Sequence, residues 1–456
     1  MYSSTVIGNS REILEQARLS LRTGTFNSIR GVLPDEAILG ICHALDLVFR
    51  NRLIPPVVTV LHMLLAGLWP EDSYAASWAV MWDSMASRVP QAAGRSPGSG
   101  TVSKARSRLP LELWCKLFDW LSERAQKLAE PHASWRGHRV VLLDGTCVSM
   151  SDQPTLREAF GTSRKGKFPL MRIVTAALAN TMTVLSYTVG RYDQGENELS
   201  WPALKGLRPN DLIVGDRRFA GAVFYHRYAS MGLHFITRMH QCLKVSRRRR
   251  LKVFGKGDFL TRLAINPQYR RRDPALPPSV TVRLIRTTVR ARGKREALWL
   301  VTSLVDARRY PASEIVEQYA RRWRIETLFR ELKVAMKADV LRSLTVDGVK
   351  KEMAARMMAL NVVRMIMLEA AEEHHVDPLE ISFVEAVRAI LHFAPEMARA
   401  AGWKLMEIYH GMLTEIASHR VPFRPGRNEP RAVRRERKHY PSLKQTRTEW
   451  RNAHAA

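Results

Sequence analysis

This sequence has little cysteine, and far less acid than base. Its 456 residues carry four cysteines, Cys42, Cys115, Cys147 and Cys242, far apart and without a CxxC pair. That spacing argues against a zinc ribbon and a disulfide framework and suits a reducing cytoplasm. Asp and Glu total 43 against 72 Lys and Arg, a formal net charge of +29. So large an excess repels itself in the compact state and seeks a polyanion. DNA and RNA fit best, because each neutralised phosphate releases a condensed counterion. Long apolar runs are missing too. The most apolar stretch, Pro55 to Trp69, contains His62 and is too short to span a bilayer, so it reads as a buried core helix. The first residues are polar and lack the apolar stretch of a signal peptide. A cytoplasmic protein with no membrane partner is expected.

Several common chemistries are absent as motifs. No G-x-G-x-x-G follows a strand and no HExxH occurs. GTSRKGKF (Gly161 to Phe168) approaches a P-loop, but Phe168 replaces the Ser or Thr that would hold Mg²⁺, which leaves a basic loop. His374 and His375 lie in an acidic helical stretch and read as solvated; His234 and His240 are candidates to support a site from behind. Glu196 and Glu198, in DQGENEL, read as a surface turn, with a spare acidic ligand as the alternative.

What is there is a change of pattern along the chain. Ile38 to Phe49 and Val57 to Leu68 carry helical apolar periodicity, and Pro90 to Ser103 gathers Gly, Pro and Ser as a loop does. RLPLELWCKLFDWLSERAQKL is helical again, with Pro110 suited to a first turn. From His138 the pattern becomes strand-like. HRVVLLDGTCVSM is an apolar run, LMRIVTAALA and TVLSYTVGRY form a hairpin signal about Asn180, and Leu212 to Val214 is a short strand ending near Asp216. With a helix at Ala220 to Met231 and a strand at Leu233 to Arg238, this mixed α/β order fits an RNase H-like sheet. A strand-like, strongly basic insertion covers about 241–300, including the arginine run 247–250, and ends in the strand EALWLVTSL. The expected division is a helical region 1–135 and an RNase H-like domain 136–340 with that insertion. A helical region 341–419 and a basic, flexible tail 420–456 follow.

The informative segment is Glu317 to Lys337, within a helix expected from about Ala312 to Met336. At about 100° per residue, Tyr319, Arg322, Glu326 and Lys333 fall within roughly a 60° sector. They border an apolar stripe of Ile325, Leu328, Phe329, Leu332 and Met336. Glu331 projects roughly 120° or more from Glu326, so Glu326 is the better candidate for a shared site. Asp144 lies inside an apolar strand, where an unpaired charge is costly unless a cation compensates it. Asp216 ends a second apolar strand and is followed by Arg217 and Arg218. Three hard oxygen donors with vacant positions suit Mg²⁺ or Mn²⁺, and two such ions can drive an in-line displacement at phosphorus without a protein nucleophile.

The pattern Y-x2-R-x3-E-x6-K (Tyr319, Arg322, Glu326, Lys333) resembles the signature of bacterial DDE transposases of the insertion-sequence-four family. DGT at Asp144 and GDRRF at Asp216 resemble that family's two aspartate motifs, and a β-rich insertion before the Glu is a family trait. The N-terminal helical segment is similar as well, so the resemblance covers roughly residues 10–340. It implies that Asp144, Asp216 and Glu326 form the catalytic, metal-binding triad, holding Mg²⁺ or Mn²⁺ as two ions. Tyr319, Arg322 and Lys333 would contact double-stranded DNA at the transposon end, with Arg217 beside Asp216 as a further contact. Trp299 and Trp323 are the aromatic candidates for stacking a flipped base at a hairpin end, and both have core packing as the alternative. The N-terminal region and the insertion would bind DNA, and the region after 340 would serve a homodimer that pairs two ends. The expected setting is the bacterial cytoplasm, at the nucleoid. Two other readings stay open: a non-catalytic DNA-binding protein, and a metal-dependent nuclease that hydrolyses without strand transfer.

Overall fold

The computed structural model describes residues 32–49, 54–68, 73–86, 96–163, 166, 168–240, 250–291, 294–400, 403–421, 445 and 447–453. Cys242, Arg247 to Arg249, Arg164, Lys165 and Lys167 of the basic loop, and most of the basic tail therefore lie outside the described residues.

The described residues begin with helices α1 (Asp35–Ala44), α2 (Pro56–Leu68), α3 (Tyr74–Ala86), α4 (Ser99–Arg108) and α5 (Leu111–Ala133). α1 stops short of the expected Phe49 because Asp46 takes φ 50°, a left-handed conformation that ends a helix. α4 begins inside the expected loop. Gly98 is its N-cap, and the small polar residues that mark loops also mark helix starts. Strands and helices then alternate: β1 (Ser134–Trp135), β2 (His138–Met150), α6 (Pro154–Phe160), β3 (Leu170–Leu178), β4 (Val184–Arg191), α7 (Glu196–Ala203), β5 (Leu212–Gly215), α8 (Ala222–Ser230) and β6 (His234–Arg238). The insertion supplies β7 (Arg250–Gly255), β8 (Asp258–Ala264), α9 (Pro267–Arg272), β9 (Ser279–Ala291) and β10 (Lys294–Thr302). α9 replaces the strand expected at QYRRRD: Asn266 caps it through Gln268 N, and Pro267 pre-sets its first turn. α10 (Ala312–Ala320), α11 (Arg324–Arg330), β11 (Val340–Leu341), α12 (Val346–Glu373), α13 (Phe383–Arg399), α14 (Trp403–Ser418) and α15 (Arg447–Ala453) complete the described α-helices and strands.

The chain divides into two compact units. One comprises Met1–Ala129, Val148–Ser151 and Arg330–Pro422; the other comprises Glu130–Cys147, Asp152–Phe329 and Phe423–Ala456. In the first, α12 is buried nearly all round and α2 is buried along its whole length. A helix apolar on every face has to be enclosed by protein, which explains the run from Pro55. Gly67 lets the two helices approach: a Cβ there would stand 3.3 Å from Ala359 Cβ. Among the described residues no helix is long and apolar enough to cross a membrane.

The second unit carries the sheet, in the order β4-β3-β2-β5-β6-β10-β9-β8-β7. β3 and β4 are antiparallel, β2, β5 and β6 run parallel, and β10 returns antiparallel to β6. The first five strands are thus an RNase H-like mixed sheet, and the insertion extends its far edge. Val140 to Leu143 and Leu212 to Val214 are at most 1% exposed, as parallel strands covered on both faces require.

Candidate active site

Strand register places the two aspartates side by side. β2 and β5 pair in parallel up to Leu143↔Gly215, and the next residues are Asp144, within β2, and Asp216, just past the end of β5. Both carboxylates are held by backbone amides. Asp144 Oδ1 accepts from Gly145 N at 2.9 Å, and Asp216 Oδ1 accepts from Arg218 N at 2.7 Å, capping the turn Arg217–Phe219. Burial pushes the Asp144 carboxyl up to about 6. The charges of Asp216 and Glu196 push the same way, against the Gly145 amide and Arg322.

Glu326 arrives on the helical stretch after α10. That stretch is not one regular helix: a 3₁₀ turn (Arg321–Trp323) precedes α11 and a π-helical turn (Glu331–Ala335) follows it. Two arginines moor it to the β3–β4 turn. Arg321 Nη1 donates to Asn180 Oδ1 at 2.6 Å and Arg324 Nη1 to the Ala179 carbonyl at 3.0 Å. Arg322, between them, faces the carboxylates. Its guanidinium lies 3.6 Å from Asp144 Oδ2 and 3.5 Å from Glu326 Oε1, so one cation bridges strand and helix. Glu331 is turned elsewhere, and its carboxylate accepts from Arg364.

Tyr319 is buried on α10. Burial raises the pKa of its phenol, and Arg322 and Arg238 oppose that shift. Trp323 is 61% exposed, with the Arg322 guanidinium 4.5 Å over its ring, so it is not a core residue. Trp299 lies beside Met239, whose N–H donates to the Trp299 carbonyl at 2.8 Å just past the end of β6. That is the sheet end where Asp144 and Asp216 sit. The Trp299 ring is half-buried edge-on to Phe259 at 5.8 Å, beside a 590 Å³ recess lined also by Arg250, Lys256 and Arg286. Arg217 is exposed next to Asp216. Lys333 belongs to the other compact unit, half-buried in the π-helical turn. His234 is not near the aspartates. It pairs with Leu212 at the opposite end of the strands, against His138 and Ser303.

Glu196 was expected on a surface turn, and the structure corrects this. Its side chain is 10% exposed, and Oε1 accepts from Arg218 Nη1 at 2.7 Å and Arg172 Nη1 at 3.3 Å. The signal was available in the sequence: Leu199, Ser200 and Ala203, at three, four and seven residues on, form the buried face of α7. Arg172 and Arg218 were missed as well, since an arginine in a basic chain carries no mark of its partner.

Among the described residues no three carboxylate, imidazole or thiol groups close on a single point as a metal site would. The donor set nevertheless fits a divalent cation. It is all hard oxygen, the neighbouring carboxylates bear on Asp144, and a guanidinium already bridges two of them.

Comparison with known proteins bears on the family of the chain. Transposase InsG of insertion sequence element IS4 from Escherichia coli K12 is 27% identical over 350 residues, covering 75% of this chain and 77% of that protein. A solved structure of the piggyBac transposase synaptic complex with hairpin DNA overlaps 89% of this chain and 87% of that one, with a TM-score of 0.44 and 10% identity. Residues 135–362, half of the chain, match the transposase DDE domain. The chain belongs to the DDE transposase family, of the insertion-sequence-four type that its motifs resemble.

Proposed function

We propose that this protein mobilises an insertion sequence: it binds the element's terminal inverted repeats, cuts there in a metal-dependent reaction and joins the freed 3′ ends to target DNA. The observation that carries the reading is the Arg322 guanidinium between Asp144 and Glu326, which links the helix-borne carboxylate to a strand-borne one. Family membership and the net charge of +29 support it.

Asp144, Asp216 and Glu326 would hold Mg²⁺ or Mn²⁺, two ions in the working complex. Bound there, the metal would activate the attacking oxygen and stabilise the leaving oxygen at phosphorus. The chain's own residues position the DNA. Arg322, turned from the carboxylates to a phosphate, supplies a forked pair of donors. Tyr319, whose phenol burial keeps protonated, donates a hydrogen bond to the same backbone. Lys333 and Arg217 add cations. Trp299, on the active-site end of the sheet and beside a basic recess, stacks an extruded base, and the exposed Trp323 is a second platform. The N-terminal helices and the insertion bind DNA, and the helices after residue 340 serve a dimer that holds two ends.

The test is cleavage of a duplex carrying the element's own end in Mg²⁺, comparing wild type with Glu326→Gln. Wild-type protein is expected to nick and join, and the variant to bind the end without cutting; Asp144→Asn and Asp216→Asn are expected to match it. Nicks without joined products would mean a nuclease. Tight binding with no wild-type cleavage in Mg²⁺ or Mn²⁺ would mean a non-catalytic DNA-binding protein.

A further inference from the structure

We infer that Glu196 is a fourth functional carboxylate, a positioning residue that fixes Arg218 for contact with the DNA phosphate beside Asp216; the inference rests on the function proposed above. Three observations converge on it. The first is burial with pairing. A carboxylate only 10% exposed is costly unless compensated, and Arg172 and Arg218 both donate to its Oε1. Two guanidinium groups thus face this one carboxylate.

The second is the backbone beneath it. A Cβ at residue 145 would stand 2.8 Å from Glu196 Cδ and 3.1 Å from Oε1. The residue next to Asp144 is therefore a glycine whose bare backbone makes room for this side chain. The third is the way Arg218 joins the parts. Its main-chain N–H holds Asp216 at 2.7 Å while its guanidinium is held by Glu196 at 2.7 Å, and its side chain remains 60% exposed. A guanidinium already fixed at one nitrogen loses less freedom when its remaining donors take a phosphate oxygen.

The experiment measures affinity for the element's own end in Ca²⁺, so that binding is read without cleavage. A single neutral methylphosphonate replaces, in turn, each phosphate flanking the cut position. Wild-type protein is expected to lose about tenfold in affinity at one position, the factor a charge-assisted hydrogen bond of roughly 1.4 kcal/mol supplies. Arg218→Ala is expected to lose that sensitivity and Glu196→Gln to lose most of it, with the double variant no worse than Arg218→Ala alone. The inference is overturned if no position depends on Arg218. It is also overturned if Glu196→Gln keeps full sensitivity at the position Arg218→Ala loses, or if its effect is undiminished in the Arg218→Ala background. A purely structural role would lower binding at every position alike, and would overturn it too. An inactive wild type in the cleavage assay would count against the transposase reading and leave this pattern readable.

Discussion

Asp258 and Arg283 offer a measurable link between the insertion and the segment that leads to Glu326. Arg283 on β9 is 1% exposed and Asp258 on β8 is 14% exposed. Arg283 Nε and Nη2 donate to the two carboxylate oxygens at 2.7 and 2.6 Å, and Nη1 donates to the Tyr310 carbonyl at 2.7 Å. Asp258→Ala removes two charge-assisted bonds and leaves a buried guanidinium without its counter-charge. Two such bonds at roughly 1.5–3 kcal/mol each agree with the roughly 3–5 kcal/mol that breaking a buried pair costs. For a unit of this size that corresponds to a fall of about 10 °C in the Tm of its transition. Urea and thermal unfolding of wild type, Asp258→Ala and the double variant Asp258→Leu/Arg283→Met would measure it. The double variant is expected to recover most of the loss, because it removes the orphaned charge with its partner. A cost below about 1 kcal/mol for Asp258→Ala would refute the reasoning and class the pair with screened surface bridges.

In the helical unit, burial lowers the His62 pKa to about 4 from its ordinary 6.5, and the ring is 1% exposed. The unfolded chain binds that proton first, so the stability from neutral His62 is complete above pH 6.5 and is lost as pH falls toward 4. About 3 kcal/mol is at stake; an identical pH dependence of urea unfolding in His62→Asn would remove His62 as the cause. Trp299→Ala is expected to slow hairpin formation about tenfold or more while leaving first-strand nicking unchanged, and an unaltered hairpin rate would return Trp299 to a packing role. Gly145→Ala forces the Glu196 carboxylate off its seat. It is expected to reproduce the methylphosphonate pattern of Glu196→Gln, and a wild-type pattern would show that the glutamate can yield.

The elements legible in the sequence are those whose residues announce their own environment. The runs VVLLD and LIV read as buried strands, and an aspartate at the end of such a run is a costly charge unless a cation compensates it. Register then made neighbours of them, which spacing along the chain cannot do, because 72 residues separate Asp144 from Asp216. Glu196 shows the complementary case: the buried face of α7 was readable, but the partners of the carboxylate were not. Its value depends on Arg172, Arg218 and the bare backbone of Gly145, three positions on three different elements. α9 was misread because its arginines suit a strand edge as well as a helix, and only the Asn266 cap and Pro267 tip the balance.

The helical wheel illustrates both the reach and the limit of periodicity. It grouped Tyr319, Arg322, Glu326 and Lys333 on the premise of an even rotation. The real stretch overwinds at Arg321–Trp323 and underwinds at Glu331–Ala335. A 3₁₀ turn advances about 120° per residue, so its three residues add roughly 60° to the regular count. The Arg322–Glu326 pair survives because four residues still separate them across a single turn, and their 3.5 Å contact is an ordinary i,i+4 one. The irregular turn has poorer hydrogen bonds of its own and needs outside support, which the flanking arginines provide at Asn180 and Ala179. Those two bonds run to the turn between β3 and β4, on the same sheet as the aspartates. The placement of the stretch that carries Arg322 and Glu326 therefore rests on side-chain contacts made by residues that look, in the sequence, like spare positive charge.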